Sequence, residues 1–202
     1  NTKLTLLYVY GNQLSSLNLS TNTALNDLDC HDNSLSALNL STNTALTELK
    51  CQYNNISSLN LASLQNLSIL NCQYNSITSL DLSTDSALTE VYCNDNALTD
   101  LNIKNGNNTN LVYLCATANT NLNCILVDNE QYANENQVWT KDGGAVYSTN
   151  CACAEFLPST NAVDPSCLNN DGSIDVSVTG GSAPYTYSWN TGATTTTITN
   201  LT

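Results

Sequence analysis

The 202 residues carry four lysines, no arginine and seventeen acidic side chains, a net charge of −13 at pH 7. That balance excludes binding that depends on displacing counterions from phosphates, so neither nucleic acid nor an anionic lipid surface is an expected partner. An apolar share of 41% suffices for the core of one or two domains, yet no apolar run approaches the roughly 18 residues of a membrane helix, and no basic-then-apolar segment marks a signal peptide.

The chain opens in mid-pattern at "NTKLTLLYVY" and reads as an internal piece of a longer protein. It then repeats itself every 21 residues. Leu17, Leu38, Leu59, Leu80 and Leu101 keep that step, as do Leu28, Leu49, Leu70 and Val91, and as do Asn12, Asn33, Asn54, Asn75 and Asn96. After Leu101 the register slips by two residues through "IKNGNNTNL", and a last copy runs through Leu111, Leu114, Ala116 and Asn119. Coincident columns of this kind mark a solenoid. A second pattern is nested inside the first: Leu35, Leu38, Leu40 and Asn43 repeat the spacing of Leu25, Leu28, Cys30 and Asn33 ten residues on. Each coil therefore holds two half-turns. The connecting "LSTNTAL" is rich in Ser and Thr and too short for a helix, so strands or extended arcs are expected on both sides of the coil.

The unit L-x-x-L-x-C-x-x-N-x-L resembles the leucine-rich repeat, over about residues 4 to 122, in the short nested class found in bacteria. The resemblance implies parallel strands lining one face and asparagines stacked along a corner. There a carboxamide, both donor and acceptor, satisfies backbone groups that the turn leaves unpaired. The expected fold is mostly β: a leucine-rich-repeat solenoid with parallel strands over residues 1–123, a C-terminal cap over 124–154, a linker over 155–166, and the start of an immunoglobulin-like β-sandwich over 167–202.

Cys30, Cys51, Cys72 and Cys93 occupy one column, which Val9 and Ala116 fill in the end copies. A metal or redox centre would not accept Val, whereas a packing position accepts any small apolar group. These four are therefore read as buried free thiols. Coils about 4.8 Å apart bring the column within reach of bridging, but stacked parallel side chains rarely offer the dihedral that a disulfide needs. Cys115 falls one place off the column and turns outward.

Past the repeats, "NCILVDNEQYANENQVWTKDGGAVYSTNC" resembles the closing segment of leucine-rich-repeat proteins from gliding, type IX-secreting bacteria. That resemblance implies a cap in which Cys124 is joined to Cys151, a bridge worth a few kcal/mol in the chain-entropy account. A solenoid end needs a cover for its Leu edge, and Ile125, Val127, Trp139 and Val146 are the candidates. Cys153 completes a "CAC" without an accompanying histidine, which is weak as a metal signal.

"FLPSTNAVDPS" reads as the linker. Beyond it, "SIDVSVTG", "YTYSW" and "TTTTITNL" read as strands, with "GGSAP" as a turn. The order D-G-S-I-x-V-x-V-x-G-G-x-x-P-Y-x-Y-x-W resembles the SprB-type repeat of gliding-motility adhesins. This implies an immunoglobulin-like sandwich, here incomplete, with the partner of Cys167 lying beyond Thr202. "NNDGSID" lacks the full spacing of a calcium loop.

Nothing in the chain points to catalysis. His31 is the single histidine, and no nucleophile elbow, zinc-binding helix motif or phosphate-binding glycine loop occurs. No enzyme activity, cofactor or metal is expected. The outward strand columns offer more. Tyr8, Tyr10, His31, Lys50, Gln52, Tyr53, Asn71, Gln73, Tyr74 and Tyr92 are the candidates for a ligand face, with Tyr53 and Tyr74 one coil apart. Tyrosines among carboxamides and carboxylates stack on sugars or anchor a protein partner, although Tyr also packs well across any exposed strand. "DSA" at Asp85–Ala87 resembles the O-glycosylation acceptor of the same bacterial group and implicates Ser86.

The combined expectation is a secreted or surface-displayed adhesion module, extracellular, that recognises a glycan or protein non-covalently. The rivals are a spacer or filament segment that self-associates, and an accessory region of a secreted enzyme. A surface of neutral polar residues with only 10% charged side chains fits an extracellular setting.

Overall fold

Most copies of the repeat leave only three residues between turns for regular structure, with one inward apolar side chain between two outward ones. A strand that short is not stable alone, so it persists only by pairing with its copies in the coils before and after. The computed structural model describes residues 1–151, 157–165, 170–179 and 185–201. The chain falls into two units, Asn1–Thr149 and Asn150–Thr202.

The first unit contains, in chain order, β1 (Leu6–Tyr8), β2 (Asp27–Asp29), β3 (Glu48–Lys50), β4 (Ile69–Asn71), β5 (Ser79–Asp81), β6 (Glu90–Tyr92), β7 (Asp100–Asn102), β8 (Tyr113–Ala116), β9 (Cys124–Leu126), a six-residue helix α1 (Glu130–Glu135), β10 (Trp139–Lys141) and β11 (Val146–Ser148). They form a parallel solenoid with a strand face on each side. One sheet runs β1-β2-β3-β4-β6-β8-β10 and the other β11-β9-β7-β5. Register follows the repeat: Leu7 pairs with Leu28, Leu28 with Leu49, Leu49 with Leu70, Leu70 with Val91 and Val91 with Leu114. The early coils keep extended arcs rather than strands on the second side.

The two half-turns close on one core. Leu28, Leu49, Leu70 and Val91 from the first side, and Leu40, Leu61, Leu82 and Ile103 from the second, are buried. Each fully buried leucine contributes roughly 2 kcal/mol of transfer free energy. Cys30, Cys51, Cys72 and Cys93 are free thiols with no exposed surface, and Ala116 continues their column. Burial pushes the Cys30 and Cys72 thiols up to about 12, and drives Cys51 and Cys93 well above the ordinary value. Only the thiolate is a good nucleophile, so these sulfurs act as small apolar filling.

The corner after the first strand is held by asparagine. Asn75 accepts the Ile56 N–H through Oδ1 (2.9 Å) and donates through Nδ2 to the carbonyls of Cys51 (3.0 Å) and Cys72 (3.1 Å). Asn33, Asn54, Asn96 and Asn119 make the same set of bonds in their own coils. Each carboxamide thus bonds the coil before it as well as its own. A second asparagine position stands at the opposite corner, where Asn43 donates to the carbonyls of Leu19 (3.2 Å) and Asn22 (2.9 Å).

The C-terminal cap differs in detail from expectation. β9 pairs in parallel with β7 and with β11, so Cys124–Leu126 is the second strand of the sixth coil, and β10 and β11 make a seventh. Ile125, Val127 and Trp139 are buried as expected, but Val146 points outward at 52% exposure and Tyr147 takes the inward place. The shift by one residue follows from the period-2 alternation of a strand. Trp139 donates its indole N–H to Leu111 O (2.9 Å) and meets Tyr132 and Tyr147 edge-on. Two carboxylates serve backbone N–H groups here, and Asp142 takes the place that the next coil's carbonyls hold at Asp32 and Asn33. Asp142 accepts from the Ala118 and Asn119 N–H groups (2.9 and 2.7 Å), and Asp128 from Gly106 and Asn108 (both 3.0 Å). Cys124 and Cys151 are both disulfide-bonded.

In the second unit, β12 (Leu157–Val163), β13 (Gly172–Thr179) and β14 (Thr197–Leu201) form an antiparallel sheet in that order. The stretch read as a linker, 155–166, thus carries a full strand. Pro158 is tolerated because β12 lies at the sheet edge. Tyr185–Trp189, read as a strand, has no strand structure; Trp189 instead closes a turn through Gly192 N–H to its carbonyl (2.9 Å). The turn "GGSAP", Cys153 and Cys167 lie outside the described residues.

Replacing Asn75 with Ala orphans a core-side N–H and removes three carbonyl contacts, and urea denaturation should show a loss of about 2 kcal/mol. In the native protein a maleimide should modify Cys115, which is half-buried, while Cys30, Cys51, Cys72 and Cys93 stay unmodified until the coils unfold, as read by peptide mass mapping.

Candidate functional site

On the outward side of the seven-stranded sheet, the pleat and one-coil register bring chemically related side chains into rows. Tyr8, Asp29, Lys50, Asn71, Tyr92 and Cys115 form one row through successive pairings. Leu6, Asp27, Glu48, Ile69, Glu90 and Tyr113 form its neighbour. Tyr10, His31, Gln52 and Gln73 follow at the end of the strands.

At the N-terminal end the side chains are tied to one another. Tyr8 donates its hydroxyl to Asp27 (2.5 Å), and this bond raises the phenol above its ordinary value. Tyr10 stacks on His31 with ring centres 4.8 Å apart, and His31 Nδ1 meets Asp29 at 2.5 Å. Lys50 pairs with Glu48, which raises the ammonium above its ordinary value. Further along, Tyr92 bonds Glu90 (2.9 Å); partial burial first, then this bond, pushes its phenol up to about 12. Tyr92 also packs on Tyr113, 4.8 Å between centres, adding to the face a tyrosine to which no role was assigned from sequence.

The row at the strand edge is Gly11, Asp32, Tyr53, Tyr74, Asp95 and Ala118. All six have left-handed backbone, with φ between 51° and 65°. The turn into the asparagine corner demands that conformation in every coil, and only the first copy meets it with glycine. Tyr53 and Tyr74, 48% and 43% exposed, stack with centres 4.5 Å apart and planes 9° from parallel. Because they repeat along the coil direction, one face of each ring turns toward the other. Asp32 and Asp95 occupy the same row one coil to either side. Asp95, with a smaller contribution from Tyr53, raises the Tyr74 phenol. The bend itself was invisible in residue types such as Tyr, although Gly11 in the same column was a signal for it.

The residues singled out from sequence therefore share one face but not one cluster. Tyr8, Tyr10 and His31 gather at one end, Tyr53 and Tyr74 at the middle of the edge, and Tyr92 farther on, with Asn71, Gln52 and Gln73 between them. Asp27, Asp29, Asp32, Glu48, Glu90 and Asp95 face the same side, against Lys50. No group of three or more His, Cys, Asp or Glu side chains suited to a metal occurs among the described residues. On the opposite strand side a groove of about 500 Å³ runs past Ala37, Asn39, Ser41, Ser58, Asn60 and Ala62. Leu38 and Leu40 line it as well, and none of its lining residues is charged. Ser86 is exposed on a turn, with its carbonyl accepting from Asn107 Nδ2 (2.8 Å), whereas Asp85 beside it is buried.

Comparison with known proteins finds likenesses for two parts of the chain. Residues 159–194 match the SprB repeat family, beginning inside β12 and so earlier than the sequence boundary at 167. Among solved structures, the functional domain of InlJ from Listeria monocytogenes, which includes a cysteine ladder, is similar at 30% identity and a TM-score of 0.55, over 72% of this chain and 34% of that one. A leucine-rich-repeat protein of Leptospira interrogans, LIC12759, is similar at 19% identity and a TM-score of 0.49, over 69% of this chain and 37% of its own. This chain thus spans about a third of the structures it resembles. No curated protein matches it. The fold is mostly β, a parallel-strand solenoid of the leucine-rich-repeat type of about seven turns, with an antiparallel sheet after it.

The left-handed row yields a direct test. Ala118→Gly should stabilise the solenoid by about 1 kcal/mol by removing a Cβ from an unfavourable backbone, and Gly11→Ala, which meets no neighbouring atom, should cost a similar amount, both read from urea midpoints.

Proposed function

We propose that this chain is a surface-displayed recognition module that binds a protein partner non-covalently through the outward face of the seven-stranded sheet. The observation that carries this reading is the exposed Tyr53–Tyr74 stack in a row flanked by Asp32 and Asp95. Two tyrosines held together present a pre-ordered apolar edge with two hydroxyls, and so lose little side-chain entropy on binding. Stacking covers one face of each ring. Only the outer faces, on the sides of Asp32 and Asp95, are left for a sugar, so a protein side chain packing on the shared edge suits the stack better. Six carboxylates against one lysine on this face favour a partner with basic side chains, which electrostatic attraction would orient. The match to the SprB repeat and the neutral polar composition support display at a bacterial cell surface. No helix among the described residues is long and apolar enough to cross a membrane.

An array of surface proteins and glycans probed with the native protein and with Tyr53→Ala/Tyr74→Ala is the test. The double variant should keep its circular dichroism and bind its protein partner roughly 30-fold more weakly, the loss of a hot spot of about 2 kcal/mol. Binding should also weaken with added salt. A partner bound equally by both proteins, or a neutral glycan bound independently of salt, would overturn this reading, and no partner at all would favour the spacer.

A further inference from the structure

The second corner of the solenoid carries one side chain that fits its neighbours poorly. The column reads Asn22, Asn43, Leu64, Asp85 and, after the register slip, Asn108. The backbone turn is the same at the first four positions: the N–H of the corner residue donates to the carbonyl three residues back, and its own carbonyl accepts from three residues ahead. Asn43 uses its Nδ2 to reach two carbonyls of the preceding coil, Leu19 and Asn22. By the same 21-residue step, the carbonyls that Asp85 faces belong to Leu61 and Leu64. An ionised carboxylate has no proton to offer them. Asp85 has no exposed surface, and neither of its side-chain oxygens has a hydrogen-bond partner.

We infer that Asp85 sits in the fold as the neutral acid, its O–H taking the place of the asparagine amide, and that this corner is a pH-sensitive joint which loosens when the proton leaves. An uncompensated buried charge is among the least favourable groups a core can hold, and taking up a proton is the cheapest escape. The surroundings offer no cation to replace it. On its own coil Asp81 is the charged neighbour and disfavours ionisation, while Thr84 pulls weakly the other way without reaching hydrogen-bond geometry. The coil before contributes Leu64, and the coil after contributes Asn105, which bonds the Asp85 carbonyl through Nδ2 (3.0 Å), and Asn108; all three are uncharged. Burial first, and Asp81 second, push the carboxyl up to about 6. The folded chain therefore binds more protons than the unfolded one between pH of about 4 and 6. Stability from this group is fully present below that window and is lost as pH rises through it.

Thermal unfolding of the native protein and of Asp85→Asn at pH 4.5 and pH 8 tests the inference, together with ¹³C detection of the Asp85 carboxyl. The native carboxyl should titrate near 6. Asp85→Asn should raise the melting temperature of the solenoid by roughly 5 °C at pH 8 and by much less at pH 4.5. Amide exchange at Leu88, whose N–H bonds the Asp85 carbonyl (3.2 Å), should quicken in the native protein between pH 5 and 7 beyond its intrinsic pH dependence, and should not in the variant. Asp85→Leu, which copies Leu64, should abolish the same pH response should the asparagine variant pack badly. A carboxyl titrating below 4.5, or an equal gain at both pH values, would overturn the proposal.

Discussion

The structure depends on the asparagine carboxamide at the first corner. Stacked coils need their strands in register, and their turns leave a core-side N–H and carbonyls pointing along the coil direction. One carboxamide per coil satisfies both kinds of group, in its own coil and in the one before. Burial of leucine supplies most of the free energy but is non-directional. The asparagine bonds supply direction, because a slip of one residue would leave several buried polar groups unpaired in every coil.

That corner has a cost, carried by the row before it. Entering the asparagine turn requires a left-handed backbone, which disfavours any residue with a Cβ. Asp32, Tyr53, Tyr74 and Asp95 accept the strain in the coils that build the outward face. Their side chains are in turn aimed away from the core at the strand edge. The exposed tyrosine stack is thus a product of the same turn that locks the coils together.

The end of the solenoid obeys the same hydrogen-bond requirement by other means. Once no further copy supplies carbonyls, Asp142 takes over with carboxylate oxygens, Asp128 accepts the N–H groups at the slipped second corner, and Trp139 covers the leucine edge while bonding Leu111. An exposed edge of parallel strands would otherwise invite pairing with another chain. Asp85 shows the converse. A carboxylate placed where a donor is needed finds no partner at all, unlike these two, which accept from backbone N–H groups.

Periodicity alone determined the coil. Each 21-residue step brings leucine, cysteine and asparagine back to the same place, and a repeat that cannot bury its apolar side alone must stack on its copies. The inward thiol column and the adjacency of Tyr53 and Tyr74 followed from that step, and the asparagine corner from the resemblance to the leucine-rich repeat. What carries no period stayed hidden until the chain was folded. Val146 and Tyr147 can each fill an inward strand position, and only pairing of β11 with β9 decided which faces in. "FLPSTNAVDPS" looked like a linker because of its prolines, yet its strand is held by β13, a distant partner. The left-handed turn at Tyr53 and the orphaned carboxyl of Asp85 arise from backbone geometry that side-chain identity does not record. Local pattern was enough to set the register of the coil. Where a residue's state depends on which donor, acceptor or strand lies across from it, only the tertiary structure could decide.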